Sequence, residues 1–99
     1  MGSITLTRSE AGGTFEVRIS DVVVVEFDEP VTGYRWVTDD SALVREETPY
    51  PGGAPGAGGM VTFTYAAREL GVETLQFRFE DRFQSDVAER CTFTIRVVE

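Results

Sequence analysis

Val61-Thr62-Phe63-Thr64-Tyr65 puts three large apolar side chains on one side of an extended chain and two hydroxyls on the other. A repeat of two is the period of a β-strand with one buried face, and a helix of period 3.6 cannot present it. The same alternation recurs on both sides of this stretch. Leu75, Phe77 and Phe79 oppose Gln76, Arg78 and Glu80, and Phe93, Ile95 and Val97 oppose Thr92, Thr94 and Arg96. Upstream, Ile4 and Leu6, then Phe15, Val17 and Ile19, then Val23, Val25 and Phe27 repeat it, and Tyr34 and Trp36 share a face across Arg35. Leu43 to Glu47 is a weaker strand candidate, and turns are expected at Ser20-Asp21 and Arg68-Glu69-Leu70-Gly71. Seven or eight short strands with no helical window predict an all-β fold. The expected form is an Ig-like antiparallel β-sandwich made by one domain over residues 1–99.

Composition narrows function by exclusion. Seventeen acidic against nine basic residues give a net charge of −8, so the basic stripe that nucleic acid or an anionic membrane requires is missing. The chain contains no histidine, which rules out Ser-His-Asp and Cys-His nucleophile systems and His-ligated metals within it. Its one cysteine, Cys91, lies in an apolar-patterned strand and cannot form an internal disulfide. The adjacent acids Asp39-Asp40, Glu46-Glu47 and Glu80-Asp81 point to opposite faces of a strand, which suits solvated charge better than a catalytic pair. No calcium-loop pattern occurs. The chain is expected to be a monomer without cofactor or metal, and not an enzyme. The longest apolar run, Val22 to Val25, is far short of a membrane span, and the start lacks a signal-peptide pattern. The expected location is the cytoplasm, or the periplasm or exterior if a signal peptide has been removed.

Three turn-rich segments interrupt the strands, over about residues 28–33, 51–59 and 80–88. The first holds Glu29-Pro30-Val31-Thr32-Gly33-Tyr34, where Pro30 fixes φ and Gly33 allows a positive φ. The second, Pro51-Gly52-Gly53-Ala54-Pro55-Gly56-Ala57-Gly58-Gly59, carries no charge and no large side chain. The third contains Asp81-Arg82-Phe83, with an aromatic and an Arg in a connecting loop, a pairing enriched at binding hot spots. If the chain reverses at every turn, even numbers of strand crossings separate these loops, and all three fall at one end. Loops clustered on a rigid sandwich make a binding surface. Alone, each loop is equally well read as an ordinary solvated turn.

In their order and content these segments resemble the chagasin-like inhibitors of papain-type cysteine peptidases. The family's first motif, Asn-Pro-Thr-Thr-Gly-Tyr/Phe followed by Trp, is matched by residues 29–34 and Trp36, with Glu29 for Asn and Val31 for Thr. Its Gly-x-Gly-Gly element is matched by Gly56, Ala57, Gly58 and Gly59. At the place of its Arg-Pro-Trp stand Asp81, Arg82 and Phe83, which keep only the aromatic. The resemblance implies a partner, a papain-like cysteine peptidase whose cleft the three loops occlude without covalent chemistry. It further implies Thr32 and Gly33 nearest the peptidase nucleophile, the glycines along one wall and Phe83 against the other. Two other readings stay open at this point. One is a non-inhibitory Ig-like protein–protein interaction module. The other is a carbohydrate-binding domain, which would need exposed aromatics where most here are expected in the core.

Overall fold

A computed structural model describes residues 2–30, 33–49, 52, 58–84 and 86–99. Among them are eight strands: β1 (Ser3–Thr7), β2 (Thr14–Arg18), β3 (Val22–Pro30), β4 (Tyr34–Val37), β5 (Val44–Pro49), β6 (Gly58–Ala66), β7 (Gly71–Asp81) and β8 (Val87–Val98). One turn of 3-10 helix, Arg8–Glu10, joins β1 to β2, and its Glu10 carboxylate accepts the Thr7 amide at 3.0 Å. The strands form two four-stranded sheets, ordered β1-β3-β6-β5 and β2-β8-β7-β4.

Each sheet is antiparallel except at one edge. β1 lies parallel to β3, and β2 parallel to β8, in an otherwise antiparallel sandwich of the expected form. The reason is the reversal rule itself. A chain that turns back after every strand sends odd-numbered strands one way and even-numbered strands the other. β1 and β3 are both odd and β2 and β8 both even, so neighbours of equal parity must run parallel. The remaining pairs join odd to even and are antiparallel.

The alternating residues face inward as the sequence predicts. Val23, Val25, Phe27, Val61, Phe63, Tyr65, Leu75, Phe77, Phe93, Ile95 and Val97 are all buried. At the centre Phe27 stacks on Trp36 with ring centroids 4.0 Å apart, and Phe77 meets Phe27 edge-on at 5.2 Å. Such aromatic pairs add about 0.5–1.5 kcal/mol each beyond the area they bury. Ile19, grouped with the inward residues of its strand, lies past the end of β2 and is exposed. There the chain turns through Ser20, at φ 77°, and the Asp21 carboxylate accepts the amides of Arg18 and Gly2. Those two bonds, Arg18's first, hold the Asp21 carboxyl below its ordinary pKa.

Candidate functional site

The inward face of β3 runs Val23, Val25, Phe27 and then Glu29. One step past the stacked aromatics, the apolar stripe ends in a carboxylate. At 7% exposure Glu29 is the only buried charged residue among those described. Burying a carboxylate is costly unless it is paired and hydrogen-bonded, and this one is both. Its Oε2 accepts the Trp36 amide at 3.1 Å, Arg45 of β5 donates to both oxygens at 3.3 and 3.4 Å, and Arg82 donates to Oε1 at 3.3 Å. Arg45 also reaches Glu47 at 3.0 Å.

Around this seat the described parts of the three loops meet. Gly33, at φ +84°, occupies the left-handed region that glycine enters without strain, and its carbonyl accepts the Arg82 amide at 2.9 Å. The first connection is thereby tied directly to the third. β3 and β6 stay paired up to Glu29–Gly59 and Pro30–Gly58, so the second connection springs from the same base. Gly33, Gly58, Gly59, Arg82 and Phe83 border a cavity of about 650 Å³, with β5 as its far wall. The connections are shorter than the sequence predicts. β3 runs on to Pro30, β6 starts at Gly58, β7 ends at Asp81 and β8 begins at Val87, because ladder pairing continues to the mouth of the sandwich.

The third connection has its own frame. The Asp81 carboxylate accepts the amides of Phe83 at 2.7 Å and Gln84 at 3.0 Å, and the Asp81 amide donates to the Asp86 carbonyl. This closes a tight turn over residues 82–84. Just before it the ladder between β7 and β8 slips by one residue at Phe79/Glu80, a bulge that bends the strands into the turn. Phe83 stands at its tip, 87% exposed, where the sequence places an exposed aromatic.

Other site residues named from the sequence fall in several places. Tyr34 is half-buried, its ring 5.5 Å from that of Phe79, and anchors the first connection from below. Glu29 faces inward as a brace. Gly59 has a demand of its own: a Cβ there would come within 2.1 Å of the Thr48 carbonyl oxygen, so β5 can pack against this point only if the residue is glycine. Val31, Thr32, Gly56 and Ala57 lie outside the described residues. Arg45 is the residue that sequence reasoning misses. It shares a strand face with buried Leu43 and points toward Glu29, while Val44 between them is 59% exposed. A charged residue on that face does not read as inward from the sequence.

The chemistry available here is recognition. Among the described residues no three acidic, cysteine or histidine side chains converge as a metal site. Cys91 is buried in β8, and burial first, then the neighbouring Glu89 carboxylate, pushes its thiol up to about 11. A thiol so shifted stays protonated and unreactive at neutral pH.

Comparison with known proteins bears on the family and the fold. The sequence profile described as chagasin family peptidase inhibitor I42 matches residues 10–97. The fold is similar to that of EhICP2, a cysteine protease inhibitor from Entamoeba histolytica, with a TM-score of 0.80 at 12% identity over 98% of this chain and 96% of that one. The solution structure of Amebosin gives 0.74 at 20% identity over 95% and 96%. PbICP-C, solved in complex with falcipain-2, gives 0.58 at 11% identity over 99% and 98%. No curated protein sequence matches significantly. At these identities the solved structures speak to the fold, whereas the profile spans nearly the whole sequence: the chain belongs to the chagasin family of peptidase inhibitors.

Proposed function

We propose that the protein inhibits papain-like cysteine peptidases reversibly, its three same-end loops filling the active-site cleft without forming a bond to the catalytic thiol. The observation that carries this reading is the hydrogen bond from Arg82 to Gly33 above the shared Glu29 seat, which makes separate connections one projecting edge. The relatives support the target class. EhICP2 is a cysteine protease inhibitor, and PbICP-C was solved on falcipain-2.

Physical considerations favour occlusion. A turn already closed by Asp81 and a left-handed Gly33 lose little conformational freedom on docking, so contact area converts more fully to affinity. Three such loops can supply the roughly 1,600 Å² of buried surface found in protease–inhibitor complexes. On this reading Thr32 and Gly33 lie nearest the peptidase nucleophile, Gly56, Gly58 and Gly59 along one wall, and Phe83 against the other.

The test is titration of active papain and a cathepsin L-type enzyme, following hydrolysis of a small fluorogenic peptide. Competitive inhibition with the protein left intact is expected. Thr32→Trp should abolish it in a protein that still folds, and Phe83→Ala should weaken it by about tenfold or more, chiefly through faster dissociation. No inhibition at high micromolar concentration by a folded protein would overturn the proposal in favour of an interaction module.

A further inference from the structure

We infer that Glu29 is a positioning residue for inhibition: from inside the sandwich, without touching the peptidase, its carboxylate holds the first and third loops in one binding geometry. The inference rests on the three-loop reading above. Glu29 is 7% exposed, so little of its surface is available to a partner. What it does reach is the first and third connections near their bases, and β5 within its ladder. The Trp36 amide follows the first loop, Arg45 lies on the strand that leads into the second, and Arg82 opens the third.

Arg82 is the joint. Its amide is bonded to Gly33 and its guanidinium to Glu29, so one residue is held at both ends by groups belonging to the first loop and its strand. The next residue is Phe83. With the guanidinium released, the 82–84 turn would keep its Asp81 bonds but hang on the first loop by the Arg82–Gly33 backbone bond alone, and the exposed ring would gain freedom to swing. Two arginines on one carboxylate make the hold charge-assisted and directional.

The experiment compares Glu29→Gln, Arg82→Gln and the double variant with the wild type by two readouts. One is amide hydrogen exchange in the free protein. The other is the dissociation constant for papain whose thiol has been blocked. The side-chain amide introduced by Glu29→Gln is nearly isosteric with the carboxylate and can still accept the Trp36 amide. The fold should therefore persist, and exchange at core amides such as Phe63 reports whether it does. Glu29→Gln is expected to speed exchange of the Arg82 amide by about tenfold, with core amides unchanged, and to weaken papain binding by about tenfold. Arg82→Gln should weaken binding similarly, and the double variant should be little worse than either single one. Unchanged Arg82 exchange in Glu29→Gln would overturn the inference, because the carboxylate would then not be holding the loop. Single-variant binding losses that multiply in the double variant would overturn it too. If the wild type fails to bind papain, the inhibitor reading falls, and the exchange data alone decide whether the loops are coupled through Glu29.

Discussion

Two neighbouring stretches of one strand face do different work. Val23, Val25 and Phe27 meet the aromatic floor, where contacts are apolar, closely packed and indifferent to direction. Glu29, one step further, meets two guanidiniums and a backbone amide, where every contact has a direction. The floor supplies stability, because burying apolar area is favourable in any orientation. The seat supplies little net stability, since the cost of desolvating the carboxylate offsets much of its attraction to the arginines. Its contribution is an angle between loops. On the proposed reading, stability and recognition are separated along one strand by about two residues.

Substitutions can break that separation or sharpen it. Phe27→Ala removes the ring that stacks on Trp36 and should cost about 4 kcal/mol in urea denaturation, much of the roughly 5–15 kcal/mol a domain of this size possesses. Gly59→Ala strikes the other side of the boundary. The added carbon meets the β5 backbone, so a loss of about 2 kcal/mol is expected, with faster amide exchange along β5 and not in β7 or β8. A loss spread evenly over both sheets would mean that seat and floor are not separable.

Alkaline titration probes the floor alone. Cys91 keeps its proton up to about 11 when folded, against an ordinary value near 9. The unfolded thiol therefore ionises first, and stability present below pH 9 should decline between pH 9 and 11, on the order of 2 kcal/mol at most. Burial raises Tyr65 as well, and its effect has the same sign. Alkylation of native Cys91 at about pH 8 should be slow until denaturant is added; fast native labelling would contradict this burial. The smallest effect belongs to the far end, where Asp21→Asn should leave peptidase binding unaltered. The folded Asp21 carboxyl titrates below its ordinary value, so its contribution is present above that range and lost as the pH falls. The variant's melting temperature should accordingly depend less on acid than that of the wild type.

Much of this architecture is legible in the sequence because most inward positions are apolar at strict period two. The parity of the strands brings the three connections to one end, and Phe83 reads as exposed because no alternating pattern surrounds it. The seat is another matter. Glu29 and Arg45 obey the alternation in position but not in kind, and a charge on an inward position looks like an outward one until its partners are known. Those partners lie sixteen and fifty-three residues away along the chain, beyond any local pattern. Gly59 is similar: in the sequence it belongs to a flexible glycine run, while the need for it comes from the end of β5, at Thr48 and Pro49.

The place of β8 bears on how the sandwich comes into being. The last of the described strands in chain order sits inside its sheet between β2 and β7, with Thr14 aligned to Thr94 and Leu75 to Phe93. Until β8 is made, β2 has no partner in its sheet and β7 can pair only with β4. That sheet is completed only once the twelve residues of β8 are present, and pairing them with β2 closes a loop of roughly eighty residues. Such long-range closure makes folding slow, and it leaves the waiting strand edges open to the wrong neighbour. For this scaffold the hazardous interval is synthesis.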